Sequence, residues 1–332
     1  MMTSRAYAIV RRHGPWWLAA QAALTILAAL LVWWTVPPLL RWLLWTADWG
    51  VVGANLRLFV LFRYPVDAAW RPAAALAMTA AALWLAARRG RSGERALLWL
   101  LGAVLASLIV LRGVGSSAVP MNLWGGLLLT LILAATAIGL SLPLGILLAL
   151  GRRSSLPLVR WTSVAAIECI RGLPLITILF MASLVVPLAL PDAWRPDTVL
   201  RAMFGLTLFS AAYVAEDVRG GLNAVGAGQY DAARALGLGH VAMHRLVILP
   251  QALRAVVPAI VGQFIALLKD TSLVLILGLT ELFGVARSVV NQPEHLGRFR
   301  EALLFAAVVY FVLCGGLSRV SKALEASNVA RR

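Results

Sequence analysis

Charged residues, lysines and cysteines are all scarce in this chain of 332 residues. Charged residues make up 13% of the sequence and hydrophobic residues 61%, whereas soluble domains carry about 25% and about 45–50%. This composition excludes an ordinary soluble protein. Only two lysines occur, Lys269 and Lys322, so arginine carries nearly all of the positive charge.

The sequence also lacks the motifs of several kinds of site. The two cysteines, Cys169 and Cys314, lie in or beside apolar runs and indicate small buried residues without a disulfide framework. His240 and His244 are four residues apart but lack the glutamate of HExxH, and CxxC and GxxxxGK[ST] are absent. We therefore predict that the chain is not an enzyme, that it has no catalytic or metal site, and that it binds no ATP itself.

Long apolar runs are abundant instead, and the mean hydropathy is +0.86. Several of these runs approach the ~20 residues that a helix needs to cross a bilayer. The predicted fold class is therefore all-α, a polytopic membrane bundle of about eight helices. The predicted spans cover roughly residues 17–36, 72–87, 96–111, 123–150, 173–190, 199–215, 256–279 and 302–320.

The positive charge predicts the orientation of these spans. The net charge of +16 is spread as clusters between apolar runs, so it indicates membrane topology and no nucleic-acid partner. With eight spans, the main arginine clusters all fall on one side of the membrane. Short loops that carry an excess of arginine lie on the cytoplasmic side. Both termini and residues 216–252 are thus predicted to be cytoplasmic. The clusters are Arg5, Arg11 and Arg12; Arg88, Arg89, Arg91 and Arg95; Arg152, Arg153 and Arg160; Arg219, Arg234, Arg245 and Arg254; and Arg319, Lys322, Arg331 and Arg332.

Residues 37–71 and 280–300 are predicted to be periplasmic. The first of these segments carries four arginines of its own, which is the exception to the pattern. Trp42, Trp45 and Trp49 favour an interfacial helix there, at the level of the lipid headgroups. The first span is expected to end at Pro37-Pro38 and to remain as an anchor.

The segment between the sixth and seventh spans has amphipathic helical spacing over about thirty residues. Gly237 and Gly239 are expected to break one helix from the next, so residues 226–240 are predicted to form a short exposed helix. Pro250 is expected near the start of the next span, where its missing N–H costs little. An ordinary loop resting on the membrane surface is the alternative.

The spacing within this segment resembles a known motif. Asp231-Ala232-Ala233, Gly237 six positions after the acid, Val247 and Leu249-Pro250 resemble the EAA motif of ABC importer permeases, with aspartate and valine in place of the usual glutamate and isoleucine. The resemblance implies a coupling helix that inserts into a cytoplasmic ATPase. The residues that it assigns to coupling are Tyr230, Asp231, Ala232, Ala233, Gly237, Leu249 and Pro250.

Other stretches are similar to the polar amino-acid uptake family, and in particular to the permeases of general L-amino-acid importers with extra N-terminal spans. They include Ile167-Glu168-Cys169-Ile170-Arg171-Gly172-Leu173-Pro174, Ala212-Tyr213-Val214-Ala215-Glu216-Asp217-Val218-Arg219-Gly220-Gly221 and Lys269-Asp270-Thr271-Ser272-Leu273-Val274. The resemblance implies a type I importer core of about five helices over residues 121–325, with its coupling segment at about 218–250. About three accessory helices would precede it in residues 1–120.

The same resemblance implies the partners. They are a cytoplasmic ATPase dimer that binds ATP and Mg²⁺, a periplasmic amino-acid-binding protein, membrane lipids, and a second homologous permease subunit, with a heterodimer favoured. The expected location is the bacterial inner membrane, and the expected function is import of L-amino acids by alternating access.

Polar residues within the apolar runs are the candidates for substrate contact. Lys269 and Asp270 fall about 13–14 residues into the predicted seventh span, where buried charge usually faces a cavity or a partner. A zwitterionic amino acid needs both a donor and an acceptor. The candidates are Lys269, Thr271 and Ser272 as donors and Asp270, Glu168 and Glu281 as acceptors. Structural ion pairs are the alternative for each of them.

A self-sufficient ion-coupled secondary transporter is the alternative function. Such carriers are commonly built from two related halves, and residues 1–166 and 167–332 have no evident symmetry. A membrane-embedded enzyme is disfavoured, because Asp270 is the only aspartate well inside a predicted span.

Overall fold

The computed structural model describes residues 15–88 and 93–329, and their regular secondary structure is helical apart from one isolated bridge between Gly126 and Glu281. The predicted all-α fold is confirmed. The α-helices are α1 (Pro15–Arg41), α2 (Gly50–Ala54), α3 (Leu56–Leu61), α4 (Trp70–Arg88), α5 (Gly93–Arg112), α6 (Gly126–Arg152), α7 (Pro157–Arg171), α8 (Leu175–Phe180), α9 (Val186–Leu188), α10 (Thr198–Ala224), α11 (Ala227–Ala235), α12 (His240–Met243), α13 (Leu249–Asp270), α14 (Leu282–Val289) and α15 (Phe299–Val329).

Shorter helical turns connect them. They are π-helices at Trp42–Thr46, Met181–Val185 and His244–Ile248 and 3₁₀-helices at Gly115–Ser117, Met121–Leu123, Asp192–Trp194, Thr271–Leu277 and Pro293–His295. The chain divides into two compact units, Met1–Gly50 and Val51–Arg332. The predicted boundary at residue 120 stays a prediction. Several arginines that entered the topology prediction lie outside the described residues, namely Arg5, Arg11, Arg12, Arg89, Arg91, Arg331 and Arg332.

Five helical stretches in the described residues are long and apolar enough to cross a membrane, and two bent helix pairs raise the count to as many as seven. The five are Ala19–Thr46, Gly126–Arg152, Thr198–Ala224, His240–Leu277 and Phe299–Ala323. The predicted count of eight is therefore not confirmed. The helix α4 is not among the five, since Arg71 and Pro72 lie in its first turn and weakly apolar alanines fill much of the rest.

One predicted span boundary is wrong, at a pair of prolines. The first span does not end at Pro37-Pro38, because α1 continues through both prolines to Arg41; transmembrane helices tolerate such breaks in their hydrogen bonding. The predicted fifth span, residues 173–190, corresponds to the continuous helical stretch Leu175–Leu188, which α8, the π-helix Met181–Val185 and α9 form together. This stretch counts as a candidate span only together with α7, to which it is joined at a bend of 111°. Pro174 caps α8 and disfavours a helical conformation at Leu173.

The helices α6 and α10 pack against each other at the centre of the second unit. A Cβ atom at Gly145 of α6 would lie only 2.6 Å from Cγ1 of Val214 on α10, so the close approach of the two helices requires glycine. The buried Ser210 hydroxyl donates to Ser141 Oγ across the same interface at 3.1 Å. This pair is the scaffold for the segment that follows α10.

A second close approach joins α10 to α13. A Cβ atom at Gly221 would lie 2.4 Å from the carbonyl oxygen of Ala252, so the end of α10 lies directly against the start of α13. A buried apolar cluster fills this region and includes Ala149, Val218, Leu222, Ala233, Met243 and Ile248. The cluster anchors the segment between α10 and α13 to the ends of both helices.

Candidate functional site

The short helix predicted between α10 and α13 is present as α11, and it ends where the glycine spacing predicts. Gly237 adopts a left-handed conformation with φ of 72°, which favours glycine. Its N–H donates to Arg234 O at 2.9 Å, and the N–H of Leu238 donates to Ala233 O at 3.1 Å. These two bonds form a Schellman motif that closes the helix.

The two alanines of the motif face opposite environments. Ala232 is exposed, whereas Ala233 is only 2% exposed and packs in the apolar cluster with Leu222 and Ile248. The side chain of Ala233 therefore anchors α11 to its own chain, and its assignment to ATPase coupling stays a prediction. Asp231 lies on the exposed face and forms an ion pair with Arg234, with Oδ1 and Nη1 separated by 3.0 Å.

Tyr230 connects α11 to two neighbouring helices. Its hydroxyl donates to Leu222 O in the last turns of α10 at 3.2 Å. It also accepts a hydrogen bond from Nη1 of Arg153, directly after α6, at 3.1 Å. Movement of α11 is thus linked through one side chain to the ends of both central helices. From the sequence, Tyr230 was a coupling residue and Arg153 only a member of a cytoplasmic arginine cluster, because the two lie 77 residues apart.

The end of the motif returns the chain to the long helix α13. Leu249 is partly buried, and the exposed Pro250 is the second residue of α13, as predicted. A π-helix over His244–Ile248 precedes it. Gln251 donates through Nε2 to Oε1 of Gln229 at 3.1 Å and so joins α13 back to α11.

A network of charged side chains lies beside this segment, with Glu216 of α10 at its centre. Its carboxylate contacts Arg152 at 2.9 Å, Arg219 at 2.8 Å and Arg171 at 3.5 Å, and its side chain is 15% exposed. The network therefore joins the ends of α6 and α7 to α10. In the sequence, Glu216 is only one residue of a stretch that resembles the family, and the helical pattern alone does not indicate its partners.

Glu168 belongs to the same network. Its Oε1 accepts from Nη1 of Arg152 at 2.9 Å, and about half of its side chain is exposed. The structure places it among these arginines near the end of α7, so it favours the ion-pair alternative over contact with a substrate.

Lys269 and Asp270 lie deeper along their helix than predicted. They are the last two residues of the 22-residue α13, which places Lys269 about 30 Å along the axis from Leu249 at 1.5 Å per residue. The predicted 13–14 residues were counted from Val256, whereas the helix begins at Leu249; the depth of the two residues in the membrane stays a prediction. Lys269 is exposed and Asp270 is half-buried.

Lys269 and Ser272 line an open groove of about 590 Å³. The rest of the lining comes from α14 and α15 and comprises Phe283, Leu303, Ala306, Ala307, Tyr310, Phe311 and Cys314. Ser272 Oγ donates to Lys269 O at 2.8 Å. Thr271, in contrast, is fully buried, and its hydroxyl donates to Leu268 O at 2.7 Å. Of the four consecutive candidates, Lys269 and Ser272 therefore face the groove.

Glu281 has a structural position. It is fully buried at the N-terminus of α14, and four donors surround its two carboxylate oxygens. The N–H groups of Phe283 and Gly284 each donate at 2.8 Å, Tyr310 donates at 2.8 Å, and the Thr130 hydroxyl lies at 3.4 Å. Burial raises the pKa of this carboxyl, and the surrounding donors oppose that rise. Because both oxygens are occupied, the structure favours capping over substrate contact.

Comparison with known proteins agrees with these features. Residues 141–327 match the family model described as "Binding-protein-dependent transport system inner membrane component". The chain is 42% identical over 350 aligned positions to "Inner membrane amino-acid ABC transporter permease protein YhdY" of Escherichia coli strain K12, with 97% of this chain and 93% of the relative covered.

Two further similarities cover part of the chain. The "Glutamate/glutamine/aspartate/asparagine transport system permease protein BztC" of Rhodobacter capsulatus is 45% identical, over 69% of this chain and 54% of the relative. A solved structure described as "Crystal structure of an amino acid ABC transporter with histidines" matches with a TM-score of 0.54 and 31% identity, over 61% of this chain and 92% of the other. The chain therefore belongs to the family of binding-protein-dependent transport system inner membrane components, the multi-pass permease subunits of ABC importers.

Proposed function

We propose that the chain is a permease subunit that imports L-amino acids, over a broad range, by alternating access driven by a partner ATPase. The observation that supports this most is the 42% identity over 97% of the chain to an amino-acid permease. A permease of this family works with an ATPase and a binding protein. ATP and Mg²⁺ are bound by the ATPase, which supplies the energy of transport.

Coupling between ATPase and permease is proposed to run through α11. Its exposed residues Asp231 and Ala232 would contact the ATPase, and the turn at Gly237 would allow close approach. Tyr230 would pass the movement on through Arg153 to the end of α6. The adjacent Arg152 contacts Glu216, so the same displacement would reach α7 and α10.

The remaining proposals concern assembly. We propose that residues 1–120 form an accessory region before a core over residues 121–325, in which the coupling segment takes up about residues 218–250. The core pairs with a homologous second subunit, and the resemblance to general amino-acid importers favours a heterodimer. Coexpression of this chain with its ATPase, its binding protein and a second permease is expected to support ATP-dependent uptake. Uptake by this chain alone, driven by an ion gradient, would support the secondary-transporter alternative.

Both termini and residues 216–252 are proposed to be cytoplasmic, because the arginine clusters favour that side. A cysteine at the exposed position Gln229, in a chain lacking Cys169 and Cys314, is therefore expected to react with an impermeant thiol reagent only in inverted vesicles. The matched position is His295, in the segment proposed to be periplasmic, and a cysteine there is expected to react in intact spheroplasts. Reaction of the Gln229 cysteine in intact spheroplasts would overturn the topology.

Lys269, which lines the groove, is proposed to contact the carboxylate of the amino acid, and the neighbouring half-buried Asp270, which is not in the groove lining, is proposed to contact its ammonium group. Lys269→Met and Asp270→Asn are each expected to lower uptake of some amino acids about tenfold, the effect of losing a hydrogen bond to a charged group, while assembly persists. Lys322→Met removes the other lysine, which is outside the groove lining, and serves as the control. Equal loss for every amino acid, together with loss of the chain from the membrane, would support a structural role.

A further inference from the structure

The helical stretch Leu175–Leu188 contains a proline, Pro187, at a position where an α-helix needs a backbone donor. Pro187 lies in α9 and has no N–H, so it cannot make the usual bond to the carbonyl of Ser183 four residues earlier. The chain forms a π-helix over Met181–Val185 directly before this point. Ser183 is only 4% exposed, and a buried carbonyl without a partner is costly in a membrane.

Arg201 of α10 supplies a donor to this carbonyl. Its Nη1 donates to Ser183 O, and its Nη2 donates to Thr198 Oγ1 at 2.9 Å. A charged side chain in a transmembrane helix is expensive and usually faces a specific partner. Arg201 lies in the first turn of α10, from which it reaches across to the helical stretch Leu175–Leu188 that contains Pro187.

A second arginine near Pro187 provides a comparison. Arg195 donates through Nε to the carbonyl of Pro187 at 3.0 Å. That carbonyl also accepts from the N–H of Leu190 at 3.2 Å, and Arg195 forms an ion pair with Asp192 at 2.5 Å. Loss of Arg195 would therefore leave no carbonyl without a donor.

The position of the stretch Leu175–Leu188 affects the candidate substrate pathway. Leu175 and Leu179 of α8 pack in one buried cluster with Leu267 of α13 and Val274 of the following 3₁₀-helix. Lys269 and Ser272 lie between these last two residues in the chain. A shift of α8 would consequently move the end of α13 and the following 3₁₀-helix, which carry Lys269 and Ser272.

We propose that Arg201 is a positioning residue for transport, because its guanidinium replaces the backbone donor that Pro187 lacks. It thereby holds the stretch Leu175–Leu188 against the segment that carries Lys269 and Ser272. The proposal rests on the proposed import function. It explains why an arginine is present at the start of an apolar helix, and it makes the requirement for Arg201 conditional on Pro187.

That condition gives the test. Arg201→Met is expected to lower the maximal uptake rate about tenfold, the effect of losing a hydrogen bond from a charged donor, with the half-saturating concentration unchanged. Pro187→Ala restores an N–H that can bond to Ser183 O. In the Pro187→Ala background the same Arg201→Met change is therefore expected to lower the maximal uptake rate less than about twofold. An equal loss in both backgrounds would overturn the proposal.

Two further variants complete the design. Arg201→Lys keeps a charged donor and is expected to retain most of the uptake rate, whereas Arg195→Met is the matched arginine control and is expected to change the rate less than about twofold. A loss with Arg195→Met equal to that with Arg201→Met would indicate a general effect of charge and overturn the proposal.

The thermal midpoint and the membrane amount of the assembled importer are measured for all variants, because they do not depend on the substrate. If Arg201→Met alone fails to accumulate, the added Pro187→Ala change is expected to restore accumulation, and failure to do so would overturn the proposal. Absence of uptake by the wild-type importer would instead contradict the proposed function, while the dependence of accumulation on Pro187 would still test the role of Arg201.

Discussion

Replacement of Gly237 with aspartate is expected to leave the chain in the membrane and to reduce uptake at least about tenfold. The left-handed φ of 72° at this position costs a residue with a side chain about 1 kcal/mol. No atom of the described residues outside the immediate chain neighbours lies within 4 Å of a Cβ placed there. Within the chain the substitution is therefore strained but does not clash, so a larger loss of uptake would come from the contact with the ATPase.

Gly239→Asp is the matched control for this prediction. It introduces the same charge two residues away, at a position with an ordinary φ of −64°, where aspartate is a favoured helix N-cap. We expect it to change uptake less than about twofold. The measurement is uptake together with copurification of the ATPase, at equal amounts of each chain. Normal uptake by Gly237→Asp would indicate that the segment is a surface loop.

Replacement of Glu216 with glutamine is expected to lower the free energy of unfolding by about 2 kcal/mol, the typical effect of losing a hydrogen bond between charged groups, because the arginine partners are partly exposed. The carboxylate is mostly buried and contacts three arginines on three helices. Its loss leaves Arg171 and Arg219 without this partner, while Arg152 retains Glu168. Uptake is expected to fall together with the stability, because the ends of α6, α7 and α10 would no longer move together.

Asp217→Asn makes the corresponding change one residue further along α10. No hydrogen bond or ion pair of Asp217 is present in the part of the chain that the structure describes, so its thermal midpoint and uptake are expected to stay near those of the wild type. The two variants are compared by thermal unfolding of the purified importer and by uptake. An equal shift for both would mean that the Glu216 network has no special role.

The sequence alone was sufficient for the features that depend on composition and on local backbone geometry. The high apolar content predicts a membrane bundle, because only helices or closed barrels satisfy their backbone in lipid. The end of α11 follows from Gly237, since the left-handed turn that closes a helix favours glycine whatever the helix packs against. The spacing from Asp231 to Leu249-Pro250 predicted the family through its resemblance to the EAA motif.

The tertiary structure decided everything that depends on which side of a helix is covered and on what lies opposite. Ala232 and Ala233 are chemically identical, so no pattern in the sequence distinguishes the exposed one from the buried one. Glu216 and Arg152 are 64 residues apart, and their pairing follows from the packing of α6 on α10. In lipid-facing helices the apolar residues surround the whole circumference, so periodicity does not reveal the buried face. The donor that replaces the missing N–H of Pro187 likewise comes from another helix, and only the packing of α10 on the stretch Leu175–Leu188 reveals it.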